Sequence, residues 1–258
     1  TWIENIEGCT DELAENYDEA ANMDDGSCIY PDNGDYSLSF DGVNDWVEIS
    51  EKFIPLGNDD RTIEIDFKNQ GNIDNWNSLI VWGTANNANE HQEELFGIMT
   101  RYDEIYIWRH GNDNYHSIST IPYDEWVNVK VSFVDNYYYI YIDDILVNSG
   151  NALPLNTISN GIISIGKSYA TPEGTVDGTS DWYLNGIINN ITIYNENIIF
   201  ADYKFNSGEG DILYDHSGNG NHGTIHGAKW AGCTDPLAEN YLENGELDDG
   251  SCIFFDDV

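Results

Sequence analysis

The sequence has few basic residues, and this shortage excludes two classes of partner. Its 258 residues include 9 Lys+Arg against 47 Asp+Glu, which gives a formal net charge of −38 at pH 7. Nucleic acids are excluded because their binding depends on basic contacts to phosphate. Anionic membrane surfaces are disfavoured for the same reason. No apolar run approaches the roughly 20 residues of a spanning helix, so we expect no membrane insertion.

Despite this charge, the composition is that of a folded protein. Hydrophobic residues make up 40% of the chain and aromatic residues 13%, which is enough for a core. The length suits one large β domain or two smaller units. The chain starts at Thr1 without an initiator Met or a signal peptide, so we expect it to be a processed piece of a longer protein.

The four cysteines lie in a repeat at the two ends of the chain. A shift of 224 positions (233 − 9) places Cys9 over Cys233 and Cys28 over Cys252, and 16 of the 22 positions in 8–29 are then identical. This identity indicates one small module used twice. Four cysteines allow three pairings, but only local Cys9–Cys28 and Cys233–Cys252 disulfides treat the two copies alike.

Each local disulfide would stabilise its module by about 3 kcal/mol, because it restricts the unfolded chain. A module of this size has little core of its own, which explains the need for a covalent closure. Disulfides persist in oxidising compartments, so we expect an extracellular or cell-surface location.

Acidic residues are concentrated in these two modules. Residues 1–35 contain 11 Asp+Glu and residues 231–258 contain 8, and neither segment has a Lys or Arg. One interpretation is a solvated acidic surface. The other is Ca²⁺ binding, since Ca²⁺ prefers carboxylate and amide oxygens as ligands. The candidate ligands are the polar residues present in both copies: Asp11, Asn16, Asp24, Asp25, Asp235, Asn240, Asp248 and Asp249.

The repeated motif is Cys-Thr-Asp-x₂-Ala-x-Asn-Tyr-x₆-Asp-Asp-Gly-Ser-Cys. It resembles the short Asp-rich repeats, related to thrombospondin type 3 repeats, of long secreted bacterial proteins. Those repeats are associated with calcium, so the resemblance implies Ca²⁺ as a cofactor here. The motif departs from the Asp-x-Asp-x-Asp-Gly run of true thrombospondin repeats.

Between the modules, the sequence consists of short strand patterns separated by polar turns. Ile63, Ile65 and Phe67 alternate with Glu64 and Asp66, which indicates a strand with one apolar face. Further strands are expected at 37–40, 46–49, 127–133, 137–142, 145–147, 162–165 and 187–194, with turns at 135–136 and 143–144. No helical period of useful length is present, so the sequence predicts an all-β antiparallel sandwich.

Five segments of this region carry a family resemblance: 38–49, 62–65, 125–129, 139–144 and 184–194. Together they resemble a laminin-G-like domain, which implies a concanavalin-A-like jelly roll over residues 36–230. Residues 203–230 resemble the family's opening segment. In the family this segment precedes the first strand, whereas here it follows the last one.

The reversed order and the repeated module indicate one period of a tandem array. Residues 203–230 would either fold back on their own sandwich, as a circular permutation, or complete the next copy by strand addition. We favour folding back, because jelly-roll termini usually lie close together. The expected units are 1–35, 36–230 and 231–258, and the expected partners are neighbouring copies arranged head to tail.

One pattern within the sandwich could carry catalysis. Glu64 and Asp66 lie two residues apart on a strand, as in laminarinase-type glycoside hydrolases, where paired carboxylates act as acid and nucleophile. The third acidic residue of that motif is replaced by Asn69. We therefore expect no enzymatic activity.

The segment after the last strand contains two patterns that could bind metal. Asp215, Ser217, Asn219 and Asn221 place an oxygen-bearing side chain at every second residue, like the first half of a calcium loop. A turn capped by its own side chains explains the pattern equally well. Three histidines could bind a transition metal, although their Gly-rich flanks hold no ligand geometry. They are His216, His222 and His226.

Aromatic side chains suggest a further function. Laminin-G-like domains often bind glycans, and exposed aromatic rings could stack on sugars. The candidates are Trp76, Trp108, Trp182, Tyr137 and Tyr139. Aromatic residues of a sandwich also serve as core or cross-strand pairs. Asn190-Ile191-Thr192 is the single N-x-S/T sequon, which makes Asn190 the candidate glycosylation site.

Two hypotheses follow from these patterns. The first is a non-enzymatic, calcium-stabilised extracellular unit of a long tandem-repeat surface protein or filament, with a structural or adhesive role. The alternative is a lectin-like carbohydrate-binding module of a larger secreted protein.

Overall fold

The structure, a computed structural model, describes residues 4–50, 52–71, 74–83, 94–109, 115–159, 161–168, 182–196 and 198–254. Parts of the two expected end modules, 1–3 and 255–258, lie outside the described residues. Within the described ranges every helix or strand assigned is a β-strand, which confirms the all-β prediction. No helix in this part of the chain is long and apolar enough to cross a membrane.

The strands are β1 (Glu7–Gly8), β2 (Met23–Asp24), β3 (Ser37–Asp41), β4 (Trp46–Ser50), β5 (Arg61–Asn69), β6 (Asn77–Gly83), β7 (Leu95–Arg101), β8 (Glu104–Trp108), β9 (Tyr115–His116), β10 (Trp126–Val134), β11 (Tyr137–Ile142), β12 (Ile145–Asn151), β13 (Ile162–Ile165), β14 (Asn185–Asn195), β15 (Ile198–Tyr203), β16 (Ile212–Leu213), β17 (Gly223–His226), β18 (Lys229–Gly232) and β19 (Leu247–Asp248).

Two large sheets form the sandwich. The first has the order β12-β11-β10-β5-β14-β3-β18-β19, with β15 also paired to β14. The second has the order β16-β17-β4-β13-β6-β7-β8-β9. The pairs in both sheets are antiparallel except β18–β19, which is parallel. Non-consecutive strands lie side by side at the centre of both sheets, in the series β10-β5-β14-β3-β18 and β17-β4-β13-β6, as in a jelly roll.

Strand β5 shows how the sequence pattern builds the core. Ile63, Ile65 and Phe67 are fully buried between the sheets, whereas Glu64 and Asp66 lie half-buried on the outer face. Both faces are as predicted. The alternating apolar residues of the neighbouring β10 are buried as well: Val127, Val129, Val131 and Phe133.

The same alternation along β5 places the side chain of Arg61 inside the core. Arg61 is fully buried, and its guanidinium donates hydrogen bonds to Thr157 Oγ1 (3.0 Å) and to the Gly57 carbonyl (3.1 Å). It also lies over the rings of Trp82 and Phe96, at 5.7 and 5.1 Å from their centroids. Carbonyl and ring contacts replace the water that this charge loses.

Two tight hairpins join β10, β11 and β12. Asp135 and Asn136 have φ values of 50° and 58°, and Asp143 and Asp144 have values of 48° and 62°. Positive φ at both central residues is the geometry of a type I′ turn, which matches the twist of the strands. Asn and Asp tolerate this conformation better than most residues, so the predicted turns at these two positions are confirmed.

Residues 203–232 contribute strands to the sandwich of their own chain. In this segment β17 pairs with β4, with Ile225 opposite Val47, and β18 pairs with β3, with Trp230 opposite Leu38. Trp230 is buried in the common core. The arrangement is the folded-back one, and β18 leads directly into the C-terminal module.

Each end module is closed by the disulfide that the repeat predicts. Cys9 is bonded to Cys28 and Cys233 to Cys252, with Cα–Cα distances of 4.8 and 4.7 Å. Each module also contains one short parallel pair, β1–β2 in the first and β18–β19 in the second. The registers are equivalent under the shift of 224.

Candidate functional site

The asparagines predicted as metal ligands close the loop of each module. Asn16 Nδ2 donates to the Ser27 carbonyl at 2.6 Å, and its Oδ1 accepts from the Ile29 amide at 2.8 Å. Asn240 makes the equivalent two bonds in the second copy, both at 2.8 Å. Both polar atoms of these side chains are therefore engaged with the module's own backbone.

The six repeated aspartates cap turns within their own modules. Each accepts a hydrogen bond through Oδ1 from the amide two residues later, as in an Asx turn. The pairs are Asp11–Leu13, Asp24–Gly26, Asp25–Ser27, Asp235–Leu237, Asp248–Gly250 and Asp249–Ser251. The Ser27 hydrogen bonds lower the pKa of Asp25. That from Gly250 lowers the pKa of Asp248.

The fit of these modules to Ca²⁺ rests on oxygen chemistry rather than on a preformed cage. Among the described residues, no group of three or more His, Cys, Asp or Glu side chains is placed to hold one metal ion. Three of the six repeated aspartates use the second carboxylate oxygen as well: Asp11 Oδ2 binds His222 and Tyr30, Asp248 Oδ2 binds Thr234, and Asp249 Oδ2 binds Ser37. Carboxylate oxygens are nevertheless the ligands that Ca²⁺ prefers. Calcium binding stays a prediction.

The Asp215 pattern forms a self-capped turn. Asp215 is fully buried, and its carboxylate accepts from the Ser217 amide (2.9 Å), the Ser217 hydroxyl (2.8 Å) and the Asn221 amide (2.9 Å). The side-chain Nδ2 groups of Asn219 and Asn221 donate to the Phe200 carbonyl at 3.1 and 2.9 Å. These contacts match the capped-turn interpretation.

A histidine of this turn binds the N-terminal module. The Asp215 amide donates to His222 Nδ1 (3.0 Å), so the ring proton lies on Nε2, which donates to Asp11 Oδ2 at 2.6 Å. The Tyr30 hydroxyl donates to the same oxygen at 2.8 Å. Burial raises the pKa of Asp11, but hydrogen bonds from Leu13, His222 and Tyr30 outweigh it and lower the pKa overall.

Aromatic packing completes this contact. The Tyr30 ring lies 5.6 Å from Tyr214, 5.5 Å from His216 and 5.0 Å from His222. Burial lowers the pKa of His216. The third histidine, His226, stacks on Trp46 instead, at 4.7 Å. The structure thus assigns the histidines to packing and docking contacts.

The C-terminal module contacts the sandwich through different residues. The Ser37 hydroxyl donates to Asp249 Oδ2 at 2.9 Å, and Lys68 Nζ donates to the Asp249 carbonyl at 2.8 Å. Leu242 packs against the edge of the main core. Asp249, a predicted calcium ligand, is therefore buried against the first sheet.

The three candidate tryptophans form one cluster. The Trp182 ring lies 5.6 Å from Trp76 and 5.5 Å from Trp108, and Trp76 lies 4.9 Å from Tyr106. The Arg101 guanidinium lies 4.9 Å from the Trp76 ring centre. These aromatic residues come from three separate parts of the chain and are half-buried. Tyr137 and Tyr139 form a separate pair on β11, 5.0 Å apart.

The acidic pair of β5 is bound by neighbouring polar side chains. Asn128 Nδ2 donates to Asp66 at 2.8 Å and to Glu64 at 3.3 Å. Lys130 Nζ lies 3.3 Å from Glu64 Oε2. These contacts make the pair part of an ion-paired sheet face. Asn190, the sequon residue, lies within β14 opposite Asp66 rather than in a turn.

One cleft was missed by the sequence reasoning. It has a volume of about 420 Å³ and lies between the C-terminal module and the outer face of the first sheet. Lys68 Nζ lies 5.6 Å from the ring centre of Trp126 in its wall. Carboxylates predominate among its polar lining groups. The lining residues are Asp35, Asp66, Trp126, Val127, Asn128, Asp143, Asn189, Asp249 and Ser251.

Comparison with known proteins finds similarity only in structure. No protein-family profile and no curated protein matches the chain. A Bacteroides ovatus protein described as a candidate carbohydrate-binding protein is similar with a TM-score of 0.56 and 15% identity, over 79% of this chain and 61% of that chain. Domains LG4–5 of mouse laminin α1 are similar with a TM-score of 0.45 and 11% identity, over 62% of this chain and 41% of that chain. The CBM40 module of Ruminococcus gnavus IT-sialidase, bound to α2,3-sialyllactose, is similar with a TM-score of 0.45 and 12% identity, over 62% of this chain and 91% of that chain.

At such low identities, the similarity concerns the fold alone. Together with the two-sheet topology it confirms an antiparallel jelly-roll β-sandwich, which is the architecture implied by the laminin-G-like resemblance. None of the comparisons shows a thrombospondin-type repeat. This chain spans 61% of the length of the Bacteroides protein.

Proposed function

We propose that the sandwich is a lectin-like carbohydrate-binding module of an extracellular protein, with the tryptophan cluster as its binding surface. The observation that carries the proposal is the contact of Trp182 with both Trp76 and Trp108. Their rings are half-buried, so part of each aromatic surface faces solvent. The fold of the Bacteroides protein, itself described in terms of carbohydrate binding, supports the same function.

The chemistry of the cluster suits a sugar. The C–H face of a pyranose is apolar and packs on indole rings, while its hydroxyls need a few fixed polar groups. Such groups border the cluster. His116 stacks on Tyr106 at 5.2 Å, and Glu104 Oε2 lies 2.9 Å from His116 Nδ1. Arg101 provides further donors beside Trp76.

The charge of the chain selects among glycans. A net charge of −38 produces a negative potential that repels sulfated sugars and sugars with carboxylates. We therefore infer that the ligand is a neutral glycan. Extracellular placement is supported by the two disulfides, which persist in oxidising compartments.

The test is a glycan array, followed by affinity measurement with competing free sugar. Trp182→Ala should weaken binding at least tenfold, or about 1.4 kcal/mol, because a central aromatic anchor is lost. Trp126→Ala is the matched control, since Trp126 is also half-buried but lies on β10 of the first sheet, beside Lys68. Absence of saturable binding, or an equal loss in both variants, would contradict the proposal.

The second candidate function is a calcium-stabilised structural unit of a repeated surface protein. The observation that favours it is the equivalent internal geometry of the two modules, down to the loop-closing bonds of Asn16 and Asn240. Repeated, cross-linked modules between larger domains suit a joint. This role is compatible with sugar binding by the sandwich.

A further inference from the structure

The two end modules have the same internal structure but bury different faces. Tyr30 of the first module is 6% exposed, whereas Phe254, the equivalent residue of the second, is 53% exposed. Ala14 is buried with Tyr30, and its equivalent Ala238 is only half-buried. We call the surface formed by Asp11, Ala14 and Tyr30 in the first module, and by their equivalents in the second, the aspartate face.

A second face is buried in the C-terminal module and exposed in the N-terminal one. Asp249 is 2% exposed against the sandwich, whereas the equivalent Asp25 is exposed. Ala231 is buried in β18, while the equivalent Glu7 is exposed in β1. Each module is thus docked once, through a different face. The surface that receives the aspartate face is the 214–222 turn, with Tyr214, His216 and His222, defined here as the receiving turn.

The exposed aspartate face of the C-terminal module makes the same internal hydrogen bond as the docked face of the N-terminal module. Asp235 Oδ1 accepts the Leu237 amide at 2.9 Å, as Asp11 Oδ1 accepts the Leu13 amide at 2.9 Å. The orientation of the carboxylate is therefore the same in both copies. Phe254 offers an aromatic ring at the position of Tyr30 but lacks its hydroxyl.

We propose that the aspartate face of the C-terminal module, formed by Asp235, Ala238 and Phe254, docks on the receiving turn of a second copy of this chain. Asp235 takes the place of Asp11 as acceptor for His222 Nε2–H, and Phe254 takes the place of Tyr30 against the aromatic rings. The contact joins two different surfaces, so it is heterologous and builds a head-to-tail row. It does not depend on sugar binding.

The chain's own N-terminal module competes for the receiving turn. It is tethered beside that turn, and short tethers give effective concentrations on the order of millimolar. Separate wild-type chains at micromolar concentration should therefore remain monomeric. Docking between copies becomes visible when the N-terminal module is released, or when one module is shared between two sandwiches of the same polypeptide.

The first experiment mixes an acceptor chain with a donor chain. The acceptor carries Asp11→Ala and Tyr30→Ala to release its N-terminal module, and Asp235→Ala and Phe254→Ala to prevent self-assembly. The donor is the wild-type chain. Sedimentation velocity should show a 1:1 complex, because the receiving turn of the acceptor is exposed.

Donor variants identify the contact. Asp235→Ala should weaken the complex at least tenfold, since a hydrogen bond to a charged group is lost. Phe254→Tyr should tighten it several-fold, because the new hydroxyl can donate to Asp235 as Tyr30 does to Asp11. Tyr123→Ala is the control, as Tyr123 is 60% exposed elsewhere on the sandwich. The proposal is overturned if a folded acceptor forms no complex, or if Asp235→Ala binds like wild type.

A second experiment avoids destabilising variants. A two-copy chain is made from residues 1–254 followed directly by 31–258, because position 254 corresponds to position 30. Hydroxyl-radical footprinting should show the junction Phe254 protected several-fold relative to the single chain, with Tyr123 as internal standard. Equal oxidation of Phe254 in both chains would overturn the proposal even if the acceptor variant fails to fold.

Discussion

Arg61 occupies a position where the strand pattern calls for an apolar side chain. It continues the inward series of Ile63, Ile65 and Phe67, yet its guanidinium is fully buried. Its hydrogen bonds to Thr157 Oγ1 and to backbone carbonyls, including that of Leu56 at 3.3 Å, offset the loss of water. Removing the guanidinium would leave these carbonyl and hydroxyl groups buried without a hydrogen-bond donor.

We therefore predict that Arg61→Ala lowers the free energy of unfolding by about 3–5 kcal/mol, because it leaves a cavity and buried acceptors without a donor. Urea unfolding of the variant and the wild-type protein measures this free-energy difference. Lys204→Ala is the control, since Lys204 is exposed and surface changes usually stay within about 0.5 kcal/mol. A loss for Arg61→Ala as small as that of the control would contradict a structural role for the buried cation.

His216 makes the stability depend on pH. Burial lowers its pKa below 6.5, with Lys204 acting in the same direction and Asp202 and Asp215 opposing. Just below pH 6.5 the unfolded chain therefore binds more protons at this residue than the folded chain does, so stability falls as the pH drops. The slope is at most about 1.4 kcal/mol per pH unit, and the half-buried ring makes it smaller.

We expect His216→Gln to remove this contribution. Between pH 7.5 and 5.5 the wild-type melting temperature should fall relative to that of the variant, because the variant has no imidazole to protonate on unfolding. Comparing the two chains cancels the response of the many carboxylates. A parallel pH profile for both proteins would show that His216 carries no pH-dependent stability.

At the level of single elements, the hairpin turns contain backbone strain, because non-glycine residues adopt positive φ there. Asn136 has φ of 58°, and its buried Oδ1 has no hydrogen-bond partner. Glycine adopts positive φ without a steric penalty. Asn136→Ala should therefore be less stable than Asn136→Gly by about 1–2 kcal/mol, because only the alanine carries a Cβ in the left-handed region. Thermal unfolding measures both, and equal melting temperatures for the two variants would contradict the strain.

Most strands could be predicted because they alternate. Residues of β5, β10 and β11 face a core on one side only, and period-two burial is readable from sequence. Strands β6 and β7 are buried on both sides, so their patterns do not alternate. The segments of β6 and β7 were not predicted for that reason. Strand β8 does alternate, with Ile105 and Ile107 buried, and its pattern could have been predicted.

The candidate sites were predictable only in part. Residue type identified Trp76, Trp108 and Trp182 as possible stacking groups, but only folding brings these distant residues together. The repeat identified the aspartates, whose Asx-turn role follows from local geometry. Long-range contacts such as His222 with Asp11 lie 211 residues apart and leave no local signal.

For the whole molecule, the dominant feature is the charge of −38. Such a charge opposes compactness through self-repulsion, and bound Ca²⁺ would offset it. One site at 100 times Kd contributes about 2.7 kcal/mol, which for a chain of this size raises the melting temperature by about 5–10 °C. We predict a shift of at least this size on adding Ca²⁺ to chelated protein.

The control for calcium is NaCl at matched ionic strength, which screens charge without binding specifically. A combined Asp24→Ala and Asp248→Ala variant should lose most of the calcium-specific shift, since both residues are candidate ligands. Identical melting curves in Ca²⁺ and NaCl would leave the acidic modules as solvated surfaces.

The measurement that tests the central claim most directly is an NMR titration of the indole Nε1–H signals with a neutral oligosaccharide selected on the array. The chain has 8 tryptophans, and they report on different places. Saturable shifts of Trp76, Trp108 and Trp182 are predicted, while the buried Trp82 and Trp230 stay in place. Shifts confined to Trp126 in the other cleft, or no shifts at all, would contradict the account.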